Sequence, residues 1–383
     1  MELYVHFPFC RQKCRYCDFA SYPGLENSMP DYVSALLEEA ELRRKEVSSP
    51  IQTVYLGGGT PSLLPAELME ACLLGLKERL PLDSVQEWTV EANPGTLTEE
   101  WLQAVRDAGV NRLSLGMQAY QSHLLKTLGR IHDFSAVERS VRMARTAGFE
   151  NLSLDLIFGL PGQTRQDWQE TIQKALSLSP THLSAYGLIP EEGTPLSEDL
   201  ASGRLSLPEP EDERDMYDLL LSVLAKNGFL QYEISNFALP GYACRHNIGY
   251  WSQVPYLGLG ASASSMGNMT QDEAGMHYLR STNTADPEAY RRGIREKKPL
   301  FSEKTEISPA EARFETMMLG LRMNRGVSEE CFERMHRRSL RSCYGEKLNI
   351  LQEQGLVCFR DGAWKCTRKG MDLQNSVLVE LMD

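Results

Sequence analysis

Two rhythms of apolar residues alternate along the first half of the chain. Short apolar or alternating runs at 2–7, Ile51–Leu56, Glu87–Ala92, Arg112–Gly116, Leu152–Phe158 and His182–Leu188 predict six strands. Between them the spacing turns helical. Val33, Leu36, Leu37 and Ala40 recur at i, i+3, i+4, i+7 after Pro30, and a second helix follows Pro65. A third is opened by Thr98 with Glu99 and Glu100 in its first turn, and a fourth covers about 134–147. Thr164 and Asp167 form a capping box, and Trp168, Thr171, Ile172, Ala175 and Leu176 make one amphipathic face behind it. Strands alternating with helices imply parallel βαβ units. Periodicity leaves two arrangements open, a doubly wound open sheet and a full or partial barrel. In either, ligands sit at the carboxyl ends of the strands.

The second half changes character. Residues 197–214 are acidic and Pro-rich, which sets a domain boundary between 1–207 and 208–383. A helix at about 213–227 and a strand at Tyr232–Phe237 precede an irregular Gly-rich stretch to 268, and helices follow near 309–323 and 346–354. At the end, Asp361-Gly362 between Leu356–Arg360 and Ala363–Cys366 is a hairpin signal. Helix, hairpin and helix there resemble a small winged-helix module, so the second half is expected to be a smaller α+β domain.

The chain has 383 residues, enough for about two domains, and a net charge of −12. That balance, which also surrounds the winged-helix-like end, argues against a nucleic-acid partner. No run is long and apolar enough for a transmembrane segment, and a cysteine at position 10 leaves little room for a signal peptide. Nine cysteines, three of them clustered, fit a reducing cytoplasm better than a disulfide framework. The other six, Cys72, Cys244, Cys331, Cys343, Cys358 and Cys366, are scattered, and most suit small buried hydrophobes.

Chemistry concentrates at the first loop. Cys10, Cys14 and Cys17 stand at C-x3-C-x2-C, with Phe19 where a further C-x-C cysteine would fall. Thiolates are soft ligands, and structural zinc wants four of them closed around it. Three suit a 4Fe-4S cluster with one iron left open; reduced core thiols or a zinc knuckle completed elsewhere are the alternatives. The spacing resembles the radical S-adenosylmethionine (SAM) superfamily, in which the open iron chelates SAM. Glu91, Gln118, Arg130 and Asp155 lie at or after successive strands, where a cationic sulfonium with a ribose and an amino-acid head needs carboxylates, an amide and a cation. Solvated strand ends would carry the same residue types. The Gly57–Thr60 loop lacks the Gly-Lys-Ser/Thr of a P-loop and reads as glycines admitting a ligand to backbone amides. Gly258–Ala263 fits G-x-G-x-x-A but has no clear βαβ frame, so it suits a loop lining a ligand cavity better than a dinucleotide site. In Cys244–Trp251, a His, two aromatics and an Arg could hold a flat anionic macrocycle; a turn with a satisfied His and two core aromatics is the competing reading.

Together the words Tyr4-Val-His6-x-Pro-Phe-Cys10, Gly57-Gly-Gly-Thr-Pro-Ser62, Glu91-Ala-Asn-Pro94, Leu115-Gly-Met-Gln118, Leu128-Gly-Arg130, Asp155-Leu-Ile-Phe-Gly-Leu-Pro161 and Arg245-His-Asn-x-x-Tyr-Trp251 resemble one radical SAM branch. It holds oxygen-independent coproporphyrinogen III oxidase and the HemW haem chaperones. The resemblance implies an α/β fold with a partial (β/α)6 TIM-like barrel. It implies Cys10, Cys14 and Cys17 as cluster ligands, and SAM contacts at Tyr4, Tyr16, Gly58, Gly59, Thr60, Glu91, Gln118, Arg130, Asp155 and Ala185. Haem is implied at Arg245, His246, Asn247, Tyr250 and Trp251, and Cys244 leaves the axial ligand open between itself and His246. Phe19 in place of a fourth cysteine, the short segment before Cys10 and the intact His246–Trp251 word favour the chaperone over the oxidase. The chaperone side implies haem, an acceptor haemoprotein such as a respiratory enzyme (membrane-bound ones included), an electron donor and a homodimer as partners. It names no catalytic residue. The oxidase side would decarboxylate porphyrinogen propionates to vinyls.

Overall fold

The computed structural model describes residues 1–382, apart from the side chain at 268. Six βα units open the chain, in the order β1 (Glu2–Phe7), α1 (Met29–Arg43), β2 (Thr53–Gly58), α2 (Ala66–Arg79), β3 (Glu87–Ala92) and α3 (Glu99–Asp107). They continue through β4 (Arg112–Gln118), α4 (Ser122–Thr127), α5 (Phe134–Thr146), β5 (Asn151–Phe158), α6 (Arg165–Ser177), β6 (His182–Gly187) and α7 (Pro195–Ala201). Next come α8 (Pro210–Lys226), β7 (Leu230–Glu233), β8 (Asn236–Ala238), α9 (Arg245–Trp251) and β9 (Tyr256–Leu259). β10 (Ser264–Asp272), β11 (Gly275–Asn283), α10 (Pro287–Arg295) and β12 (Phe301–Ile307) follow. The last part holds α11 (Pro309–Arg322), β13 (Val327–Ser328), α12 (Glu329–His336), α13 (Leu340–Glu353), β14 (Val357–Arg360), β15 (Ala363–Cys366), α14 (Arg368–Asp372) and α15 (Gln374–Leu381).

β1 to β6 are parallel neighbours in one 12-stranded sheet of order β12-β11-β10-β9-β1-β2-β3-β4-β5-β6-β8-β7. The two edges do not pair, so the architecture is the partial barrel. A parallel strand covered on both faces by helices reads as continuously apolar. Here every strand alternates instead. Leu3, Val5 and Phe7, Val54 and Leu56, Trp88 and Val90, and Leu152 and Leu154 pack in the core shared with the helices. Their neighbours Tyr4, His6, Tyr55, Glu91, Arg112 and Asp155 therefore line the concave face. The polar half of each strand is the site half.

Thr98 caps α3 and the Thr164–Asp167 box caps α6, as the sequence predicts. Asp361 and Gly362 both take positive φ (53° and 73°), the geometry of a tight hairpin turn between β14 and β15. Four expectations change. The irregular stretch to 268 contains α9, β9 and most of β10. At seven residues α9 is too short to show a 3.6 period, and the sheet fixes it by tertiary contact. The expected strand 232–237 is instead the hairpin β7–β8, and the helix expected near 346–354 starts at Leu340 behind the Ser339 cap. The core does not break at 207. Met216, Leu220 and Leu224 of α8 share the barrel core, β8 pairs with β6, and β9 pairs with β1. A second core is built from Met317 onward, around Phe332, Tyr344, Leu348 and Trp364. Among the described residues no helix is long and apolar enough to cross a membrane.

Candidate functional site

The three thiols hang in the loop after β1, and all three are free and half-exposed. The barrel holds them through a ring of contacts. Cys10 Sγ lies 3.5 Å from Thr60 Oγ1, which accepts from Asn93 Nδ2 at 2.8 Å. Asn93 Oδ1 accepts from Arg130 Nη2 at 2.9 Å, and Arg130 Nη1 donates to Cys14 Sγ at 3.3 Å. Cys17 closes the loop with its N–H on Cys14 O. Burial pushes the Cys17 thiol up, its bond from the Phe19 amide pulls down, and Cys14 and Cys10 push it up further. The three thiols are thus close enough to repel as thiolates, with Arg130 beside them as the compensating cation. Among the described residues no three donors are drawn around one point for a single metal ion. A 4Fe-4S cluster with three thiolate-bound irons and one iron left open would fit this donor set: three soft ligands, no fourth, and a half-buried cation.

Gly116 makes the Arg130 clamp possible. A Cβ there would sit 2.6 Å from Arg130 Nη2 and 2.8 Å from Gln118 Nε2. Arg130 Nη2 also donates to Gly116 O at 2.7 Å. Gln118 itself is held at φ 63°, behind a register shift in β4 that turns it inward. Tyr16 is half-buried near Arg130, Cys14, Cys17 and Asp155, and desolvation raises its phenol.

The glycine loop works differently from its sequence reading. Its amides are spent inside the protein: Gly58 N–H on Glu91 Oε2 at 3.2 Å, Gly59 N–H on Phe7 O at 2.8 Å, Thr60 N–H on Phe9 O at 2.7 Å. Glycine is needed at 58 because φ is 101° and a Cβ would strike the His6 ring. The loop fastens the cysteine loop to β2.

Glu91 is half-buried and accepts from Tyr55 OH at 2.7 Å. Burial raises it to about 7, with the Asp155 charge adding and its bonds from Tyr55 and Gly58 opposing. Asp155 is also half-buried and raised by desolvation; Ser114 Oγ donates to it at 3.0 and 3.1 Å. If Glu91 meets the SAM cation, as the sequence words imply, it must do so ionised. Because the folded pKa lies above the ordinary carboxylate value, the protonated form dominates below about 7. SAM affinity, read by calorimetry, should therefore fall about tenfold per pH unit below that point and level off above it. Affinity constant from about pH 6 to about pH 8 would remove Glu91 from the site.

Ala185 lies in the apolar core, on the face of β6 opposite Ser184, and its N–H goes to Ser235 O at 2.8 Å. The stretch expected to meet haem is spread out by α9. Arg245 leads outward and donates to Gln86 Oε1, and Asn247 is half-buried. Cys244 is buried on Glu87, its thiol pushed up to about 12 by burial. His246 is 1% exposed, with Nδ1 2.8 Å from Thr53 Oγ1, and burial lowers it to about 3. Neither Cys244 nor His246 opens onto a cavity, so the structure does not bring Arg245, His246 and Trp251 to one ligand face. His246 instead stacks on Tyr55, centroids 5.1 Å apart at 28°, and Tyr55 holds Glu91. His246→Ala should therefore weaken SAM binding several-fold, the worth of about 1 kcal/mol of aromatic contact, and leave the haem spectrum alone. A shifted Soret band with unchanged SAM affinity would contradict this.

Tyr250 and Trp251 do face a cavity of about 630 Å³, shared with Tyr4, His6, Gly58 and Glu91. Its far wall holds Tyr256, Met266, Arg280, Glu315 and Leu319. Sequence reasoning missed Asn93 and Gly116 as organisers, though both lie inside quoted words. It also missed the far wall, whose signals are single residues scattered over β9, β10, β11 and α11.

The sequence pattern of the radical SAM superfamily matches residues 4–175, and that of the HemN C-terminal domain matches 307–373. Heme chaperone HemW of Lactococcus lactis is 38% identical over 382 residues, 99% of this chain and 96% of that protein. Heme chaperone HemW of Bacillus subtilis is 38% identical over 376 residues, 98% of this chain and 97% of that protein. Coproporphyrinogen III oxidase (HemN) from Escherichia coli, a radical SAM enzyme, superposes with a TM-score of 0.84 at 21% identity, covering 99% of this chain and 89% of that one.

Proposed function

This chain belongs to the HemW family of the radical SAM superfamily, and on that premise we propose that it binds haem and passes it to an acceptor haemoprotein. The observation that carries the reading is the cavity shared by the SAM-side residues Gly58 and Glu91 with Tyr250 and Trp251. At about 630 Å³ it is within the range of small-molecule sites, and its aromatic walls suit a flat ligand.

Cys10, Cys14 and Cys17 would hold a 4Fe-4S cluster, with Arg130 offsetting its thiolates. When bound, such a cluster supplies low-potential electron transfer toward the SAM sulfonium. Glu91, Asp155, Gln118 and Tyr16 would position SAM: Glu91 by its charge, Asp155 through the serine hydroxyls that fix it, Tyr16 by its ring. Tyr250 and Trp251 would meet the haem face from the cavity. The reading calls for an acceptor such as a respiratory enzyme, an electron donor and a second copy of the chain as partners. It also calls for a reducing compartment such as the cytoplasm, because the three thiols must stay reduced.

The competing enzymatic reading is oxidative decarboxylation of coproporphyrinogen III. Reconstituted protein incubated with SAM, a reductant and coproporphyrinogen III should give no protoporphyrinogen above the background of a Cys14→Ser control. Parallel haem titration should saturate. Sustained protoporphyrinogen formation would replace the chaperone reading with the oxidase.

A further inference from the structure

The cavity is chemically lopsided. At the barrel end stands Glu91, and on the far wall stands Arg280, the one Lys or Arg among its lining residues. Arg280 projects from β11 and is 38% exposed. Its bonds to Glu315 Oε2 at 2.7 Å and to Tyr278 OH at 3.5 Å both leave from Nη2, and the guanidinium also hydrogen-bonds the Tyr256 side chain. A guanidinium carries five N–H donors in a fixed fork, so donors remain beside these bonds. Glu315 has a second partner, the Tyr278 hydroxyl, so it stays satisfied if Arg280 turns away. Trp251, on the same cavity, has a buried indole Nε1 with no partner.

We propose that Arg280 is the carboxylate anchor of this cavity, and that a planar aromatic ligand takes it from Glu315 through a carboxylate. Arg matches a carboxylate bidentately, and that geometry is the stronger of the two pairings open to it. Glu91 at the opposite end repels the same group, so the ligand enters with its carboxylates toward β11 and its ring between Tyr250, Trp251 and Met266. The identity of the ligand as haem rests on the reading above; the anchor is a separate statement about Arg280. Glu315 lies on α11, which carries Met317 and Leu321 of the second core. Ligand binding therefore cuts a tie between the cavity wall and that core.

The two partners of the ion pair should respond with opposite signs. In haem titrations followed by the Soret band, Arg280→Ala should weaken binding about tenfold, and Arg280→Lys should recover part of it. Glu315→Gln frees the guanidinium, keeps the shape and a bond to Tyr278, and should tighten binding a few-fold. SAM affinity and melting temperature should stay at the wild-type values in Glu315→Gln and Arg280→Lys. A merely structural ion pair would make both Arg280→Ala and Glu315→Gln weaken binding. That result, or Arg280→Ala binding as well as wild type, overturns the anchor while the haem reading stands. Wild-type protein that takes up no haem overturns both.

Discussion

Cys14→Ser is expected to leave the protein without its cluster. Wild-type chain reconstituted anaerobically should carry about four irons with the broad absorption of thiolate-ligated clusters, and the variant close to none. Cys14 is the thiol that Arg130 Nη1 holds at 3.3 Å. Replacing its soft sulfur with a hydroxyl removes a ligand, while Arg130 keeps its bonds to Asn93 and Gly116. The loop should still keep its place. Arg15 N–H bonds Leu128 O at 3.0 Å, Leu196 N–H bonds Arg15 O at 2.9 Å, and Arg15 pairs with Asp199. A normal melting temperature beside lost iron separates ligation from folding. Iron loading that survives removal of Cys10, Cys14 and Cys17 together would refute the cluster.

Asp155→Ala should weaken SAM binding by tens-fold, since losing a buried charged partner costs about 2–5 kcal/mol. The iron content should not change. Asp155 sits among Ser114 and Ser153 hydroxyls behind Tyr16 and does not touch a cysteine. A second effect goes with it. Asp155 raises Glu91, so its removal lowers the Glu91 pKa from about 7. The pH below which SAM affinity declines should then move down. Calorimetry over pH reads both effects, and wild-type affinity would take Asp155 out of the site.

The barrel was legible because each strand repeats one physical pattern. Apolar residues such as Leu3, Val5 and Phe7 point one way, and Tyr4 and His6 point the other. The same alternation hid the function of the concave face: a polar residue at a strand end looks the same whether it is solvated or buried. Thr98 and Thr164 announce α3 and α6 because caps are local chemistry. Helix α9 has no such signal. It is fixed by Gly249 lying against the Glu2 carboxylate and by Glu87 accepting from the Arg245 and His246 amides. Those partners are far away in sequence, so the segment read as a loop, and its His246 read as a ligand rather than as support for Tyr55. The glycines of 57–60 were legible as a special loop. Their reason, close packing on His6 and on the Phe7 and Phe9 carbonyls, needed the fold.

The central claim is that the chain carries haem and gives it up. Protein loaded with one round of haem and freed of excess should be mixed with an apo-haemoprotein, and the Soret bands of donor and acceptor followed together. The donor band should fall as the acceptor band rises, at a rate that grows with acceptor concentration, while the iron–sulfur absorption stays. A rate independent of acceptor, equal to simple haem loss into buffer, would contradict it, as would a chain that never takes up haem.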